Sequence, residues 1–241
     1  MSTFLTLVRA EQFPQKIQWN IRDTFAVLLL PFIFLNSYIF QYFHFSHVEL
    51  GIADSIFRGI LFFIVCVLYK TMLYEHWQKY KAAFWRSSVL VMIGAVVLQI
   101  VISATRAILP ISTSSDIENT LIQPESVPFL SLLLISLSPL FTALLEDIIF
   151  RYTLLQKLFI PNALWRVVIL LLNSIIFGLI HFHNFDGNLI ATISFMAAGL
   201  FLNLIYLWAR NIWHVLLIHF LNNAVLSVGG LILLQIVQAL T

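Results

Sequence analysis

Charge is what this sequence lacks. Asp, Glu, Lys and Arg make up 10% of its 241 residues and 61% are hydrophobic. Soluble domains carry about a quarter charged and about half apolar residues. With a mean hydropathy of +0.96, the composition excludes a soluble globular fold and leaves a membrane protein. The net charge of +2 is too small to attract nucleic acid, and no basic run or RNA-binding aromatic pattern is present. Cysteine is almost absent. Cys66 stands alone inside an apolar run, which excludes an internal disulfide and says nothing of redox compartment. The N-terminal stretch carries Arg9, Glu11, Lys16, Arg22 and Asp23 but no apolar core ahead of a small-residue cleavage site, so no removable signal peptide is expected. No internal repeat or low-complexity tract appears. The connections between apolar runs are short, which leaves no room for a soluble domain.

What is present is a series of apolar runs. A bilayer span needs about 20 mostly apolar residues, and such runs occur at 24–43, 54–74, 87–109, 128–149, 165–182, 188–208 and 212–239. Gly229-Gly230 could break the last run into a span and a short eighth helix. The expected fold is therefore all-α, a polytopic membrane helix bundle of seven or eight transmembrane helices. Basic residues alternate from loop to loop. Arg9, Lys16 and Arg22 precede the first run; Lys70 lies at the end of the second, and Lys79, Lys81 and Arg86 follow it. Lys157 follows the fourth, Arg166 opens the fifth, and Arg210 follows the sixth. The intervening loops near 44–53, 110–127 and 183–187 have no Lys or Arg, and the middle one carries Asp116, Glu118 and Glu125. The excess of Lys and Arg marks the cytoplasmic side, so a cytoplasmic N-terminus is expected and seven spans put the C-terminus outside. Arg58 and Arg106 lie near expected outer ends, where long side chains snorkel to headgroups. Pro31 and Pro139 interrupt runs and are expected to kink them, whereas Pro110, Pro124, Pro128 and Pro161 mark run ends or loops.

The stretch LLEDIIFRYTLL (144–155) sets Glu146, Asp147 and Arg151 in an apolar run. An ionisable residue at the centre of a spanning helix costs roughly 2.5–3.5 kcal/mol on insertion scales. On a helix Asp147 and Arg151 share a face in the favourable order, acid before base. Glu146 points about 100° away and is left over, which suits a general base in a low-dielectric setting. The competing reading is an ordinary helix end at the cytoplasmic interface. Two more polar positions bear on the choice. His181 follows Phe177 by four residues, and His219 precedes Asn222 and Asn223 by three and four. Histidine and asparagine on neighbouring spans also serve simply as interhelical hydrogen bonds. These runs place Glu146 near an inner end and His181 near an outer one, so the two meet only if a helix tilts or a boundary shifts. His183 and Asp186 read as loop residues, His214 as interfacial beside Trp213, and His44, His47 and His76 as loop or span-end residues. Asn173 and Ser174 read as helix-contact residues.

Taken in order, Glu146-Asp147-x-x-x-Arg151, Phe177-x-x-x-His181 and His219-x-x-x-Asn223 resemble the CPBP family. Its members include type II CAAX prenyl endopeptidases and the bacteriocin-processing or bacteriocin-immunity Abi proteins, and its motifs are EExxxR, FxxxH and HxxxN (or D). The flanks SPLFTALLEDIIFR, NSIIFGLIH and GLFLNLIYLWARNIWHVLLIHFLNN are similar as well. The resemblance covers about 128–226. It divides the chain into an N-terminal region, 1–126, with three transmembrane helices, and a CPBP-like intramembrane protease domain, 127–241. Asp147 stands where the family has a second Glu, and Tyr152 where a Gly usually follows the arginine.

The resemblance implies an intramembrane endopeptidase with a conical cavity open to the cytoplasm. Glu146 would activate a water that His181 holds or shares. His219 and Asn223 would donate to the oxyanion, and Asp147 and Arg151 would support the site. Family members are often labelled metalloproteases. A zinc ion, if bound, would take Glu146, His181 and His219. There is no HExxH, and asparagine is a poor zinc ligand but a good oxyanion donor, so no cofactor is expected. The expected partners are the lipid bilayer and a membrane-associated peptide or protein substrate, and the expected location is a bacterial cell membrane. A bacteriocin self-immunity protein of the same family, acting with or without proteolysis, is the alternative. A transporter with a polar midplane site is disfavoured, because repeat symmetry and paired broken helices are missing.

Overall fold

The computed structural model describes residues 3–42, 45–109, 127–185 and 187–240. Pro110, Pro124, His44, Asp186 and the acidic residues Asp116, Glu118 and Glu125 lie outside the described residues. The described chain is helical, with no strand. The helices are α1 (Phe4–Val8), α2 (Ile21–Gln41), α3 (His47–Leu68), α4 (Lys70–Lys81), α5 (Phe84–Ile108) and α6 (Phe129–Ser136). They continue with α7 (Ser138–Asp147), α8 (Ala163–Leu179), α9 (Leu189–Ala209), α10 (Ile212–Ala224) and α11 (Gly230–Leu240). Five helical segments are long and apolar enough to cross a membrane: His47–Leu68, Phe84–Ile108, Phe129–Leu158, Leu189–Ala209 and Ile212–Leu240. With α2, which holds Pro31 inside it, and the shorter apolar α8, they account for the seven apolar runs.

Burial is inverted relative to a soluble protein. Phe63, Val67, Met92, Val96 and Ile100 are exposed on α3 and α5, while Ser87, Thr192, Ser194, Asn203 and Asn211 are fully buried. Lipid is as apolar as leucine, so helices in a bilayer associate through close packing and interhelical hydrogen bonds. Both occur between α8 and α9. Asn203 Nδ2 donates to Asn173 Oδ1 at 2.9 Å and to Ser174 Oγ at 3.0 Å, which makes both residues helix contacts as expected. Gly178 lets the two backbones approach. A Cβ there would stand 2.7 Å from the Met196 backbone N and 2.9 Å from the Thr192 carbonyl oxygen. Backbone atoms cannot swing aside, so Gly178→Ala should cost about 1–3 kcal/mol. The measurement is thermal unfolding in detergent, and an unchanged midpoint would refute the close approach.

Several run boundaries need correction. The second run divides at Tyr69 (φ −113°, ψ 18°), where the spanning α3 ends and the polar α4 begins. The fourth run does not stop near 149. It passes from α7 into a π-helical segment, Ile148–Leu155, and a short 3-10 turn, Gln156–Leu158, forming one 30-residue span from Phe129. Pro139 sits in the first turn of α7, at the joint with α6. At the last run the helix is continuous. A π-helical stretch, Val225–Gly229, joins α10 to α11, and Gly229-Gly230 does not open a separate eighth helix.

The N-terminal segment closes one end of the bundle. The Ala10 and Glu11 backbone N–H groups donate to the Arg210 carbonyl at 3.1 and 3.3 Å, and Arg9 reaches the Trp208 carbonyl at 3.2 Å. Asn211 Nδ2 donates to the carbonyls of Val8 and His76, each at 2.9 Å. His76, on α4 just beyond the α3 span, is buried. Its Nδ1 accepts from the Ile212 N–H at 3.0 Å and its Nε2 faces Glu11 at 3.2 Å. His214 is likewise buried, with Nε2 at 3.1 Å from Ser87 Oγ. Asp23, fully buried, pairs with Lys157 and accepts from the Tyr69 hydroxyl at 2.9 Å, which in turn accepts from Thr153.

Candidate functional site

The continuation of the fourth span to Leu158 decides where the acidic pair sits. Glu146 and Asp147 are at mid-span, not at an inner helix end, and His181 lies in the turn just beyond α8. The depth conflict in the sequence therefore disappears. Glu146, His181, His219 and Asn223 line one cavity of about 450 Å³, together with Arg58, Ser138, Pro139, Thr142, Asn184 and Phe195.

Each side chain is held by its element. Glu146 lies in the last turn of α7 and is 4% exposed, while Asp147, which ends the helix, is 0% exposed. The π-helical turns beyond them place Arg151 back over Asp147, with Nη1 to Oδ1 at 3.0 Å. Neither residue is exposed to solvent. The Arg151 guanidinium lies 4.2 Å above the Phe177 ring, a cation–π contact that replaces part of its lost hydration. The expected pair is thus present. It also extends further, because Asp147 Oδ2 stands 3.3 Å from His219 Nδ1. One methylene shorter than Glu, Asp147 still spans the arginine and the histidine.

His181 Nδ1 lies 2.8 Å from the Phe177 carbonyl. A carbonyl only accepts, so Nδ1 carries the hydrogen and Nε2 of the neutral ring presents its lone pair. Phe195 covers the ring at a centroid distance of 4.3 Å, and Phe177 touches it at 5.2 Å. Phe177 also meets His219 edge-on at 5.9 Å. One phenyl ring therefore packs against Arg151, His181 and His219, which explains the four-residue spacing to His181. Asn223, one turn past His219, donates from Nδ2 to the Pro139 carbonyl at 3.2 Å and accepts from Asn222 at 3.2 Å. One Nδ2 hydrogen remains for a ligand.

Arg58 was expected at the headgroups and instead lines the cavity. It pairs with Asp54 at 2.7 Å and donates to Thr142 Oγ1 at 2.8 Å, while Ser138 donates to Asp54 at 2.7 Å. The signal was there to read, since Asp54 and Arg58 repeat the acid-before-base, four-residue spacing of Asp147 and Arg151. Arg106 also turns inward, toward Ser194 at 3.4 Å and over the Phe185 and Phe195 rings. Tyr152, the other family departure, faces away from the cavity and stacks edge-on against Tyr69 and His76.

Zinc needs three protein ligands in a catalytic site. Among the described residues no group of three or more His, Cys, Asp or Glu is placed to hold a metal ion. Glu146, His181 and His219 form no such group in this geometry.

Residues 128–225 match the family described as type II CAAX prenyl endopeptidase Rce1-like. Comparison with curated proteins and with solved structures gives no match. The matched segment holds all three motifs, from the start of α6 to the end of α10. Over that segment, which is less than half of its length, this integral membrane chain is similar to the type II CAAX prenyl endopeptidases.

Proposed function

We propose that the chain is an intramembrane endopeptidase that hydrolyses a peptide bond of a membrane-associated peptide or protein by glutamate-activated water. One observation carries the reading: four polar side chains from three separate segments converge on a single cavity inside an apolar bundle. Glu146 takes a proton from water while the His181 Nε2 lone pair holds the same water. The oxygen attacks the peptide carbonyl carbon, and the oxyanion forms beside Asn223 Nδ2 and His219 Nε2. The C–N bond breaks as Glu146 returns its proton to the leaving amine. Preorganised donors of this kind are among the largest contributions to acyl-transfer catalysis. Donation from His219 Nε2 requires a hydrogen there as well as on the Nδ1 that faces Asp147.

The test is cleavage of a fluorogenic peptide library by detergent-purified protein, with and without a chelator, beside Glu146→Gln and His181→Ala. Cleavage by wild type alone, unaffected by chelator, upholds the mechanism. Loss of cleavage with chelator would put a metal back into the site. Full activity in both variants would remove the assignment. Bacteriocin protection that survives Glu146→Gln would favour an immunity protein that acts by binding.

A further inference from the structure

Among the described residues, the outermost lining of the cavity lies toward one end of the bundle. Its rim includes Asn184, exposed in the turn after α8, and Ser138, near the α6–α7 joint. Phe195, also on the wall, lies less than two turns into α9. In the other direction the described residues form a buried floor. Beyond Glu146 come Ile148, Ile149, Phe150, Arg151, Thr153 and Leu155, all 0% exposed. Across from them Leu202, Tyr206, Ile212 and Val215 are also 0% exposed. On the far side of that floor lies the end closed by the N-terminal segment, where Arg9 contacts Trp208, Arg210 holds Ala10 and Lys157 pairs with Asp23. Lys79 and Lys81 close α4 there.

The basic residues thus gather at the end beyond this floor. The opposite connections, 45–53, 110–126 and 182–188, contain no Lys or Arg in sequence. The cations nearest the mouth are already engaged, Arg58 by Asp54 and Arg106 by Ser194 and two rings. Lys and Arg near span ends are retained on the cytoplasmic side. We infer that the cavity opens to the non-cytoplasmic side, so that its substrate is a peptide segment that has already crossed the membrane or lies in the outer leaflet. This is opposite to the cytoplasmic opening that the family resemblance implies. The substrate half of the inference rests on the protease reading. The direction of access does not.

Impermeant maleimide labelling of single-cysteine variants, in bacterial membrane vesicles and a Cys66→Ala background, tests the direction. Asn184→Cys and His47→Cys sit at the mouth end, and Lys81→Cys sits at the basic end; all three side chains are exposed. The mouth cysteines should label in right-side-out vesicles and be shielded in inverted ones, with Lys81→Cys showing the reverse. Alkaline phosphatase fused after Thr241 should be active, because that fold matures only outside the cytoplasm. The reverse labelling pattern, or labelling of the mouth from both sides, overturns the inference. Should the mouth cysteines take no label, an inactive phosphatase overturns it and an active one upholds it. Neither readout needs hydrolysis, so a failed protease assay and a failed orientation are distinguishable.

Discussion

Glu146→Gln is expected to lower peptide hydrolysis by about 10²–10⁴-fold, the range for loss of a positioned general base, with no loss of folded protein. The amide has the size and shape of the carboxylate and the side chain lines a cavity, so packing is unchanged. What is lost is the ability to take a proton from water. Arg151 is engaged by Asp147, so the substitution also leaves the buried ion pair intact. Because the interaction exists only in the transition state, kcat and kcat/KM should fall together while KM stays put. Asn223→Ala should behave in the same sense with a smaller loss, about 10²–10³-fold, as for removal of one oxyanion donor. A Glu146→Gln enzyme with the wild-type rate would move the base elsewhere. A variant that failed only through a raised KM would make Glu146 a substrate-binding group instead.

The membrane class, the seven apolar runs and the ordered motifs were legible because hydropathy and four-residue spacing are local properties of the chain. What was not legible has a common cause. Arg151, Gln156 and Lys157 lower the hydropathy after residue 149, so the run seemed to end. In the fold all three are buried by partners remote in sequence: the Phe177 ring, the Gln12 carbonyl and Asp23. The same holds for His76 and His214, which the N-terminal segment, α4 and α5 enclose. A polar residue in a membrane protein reads as interfacial until its partner is known, and that partner is set by tertiary packing. Arg58 was misplaced for this reason although Asp54 was four residues away. The contact from Asp147 to His219 had no sequence signal at all, since it joins α7 to α10.

That contact makes the second large prediction. Arg151→Met should destabilise the protein by about 3–5 kcal/mol, the cost of leaving one partner of a buried ion pair uncompensated. Asp147 would remain at 0% exposure, and methionine cannot reproduce the cation over Phe177. The double variant Asp147→Leu/Arg151→Met removes both charges at once. Apolar replacement of a whole buried pair is often neutral in stability, so the double variant should unfold later than Arg151→Met alone, by thermal or denaturant unfolding in detergent. Catalysis should separate from stability at this point. The double variant still lacks the carboxylate 3.3 Å from His219 Nδ1, so hydrolysis should not return with the fold. Recovery of both would reduce Asp147 to a counter-ion for Arg151. Recovery of stability without activity would assign it two tasks, neutralising Arg151 on one oxygen and holding His219 toward the cavity with the other.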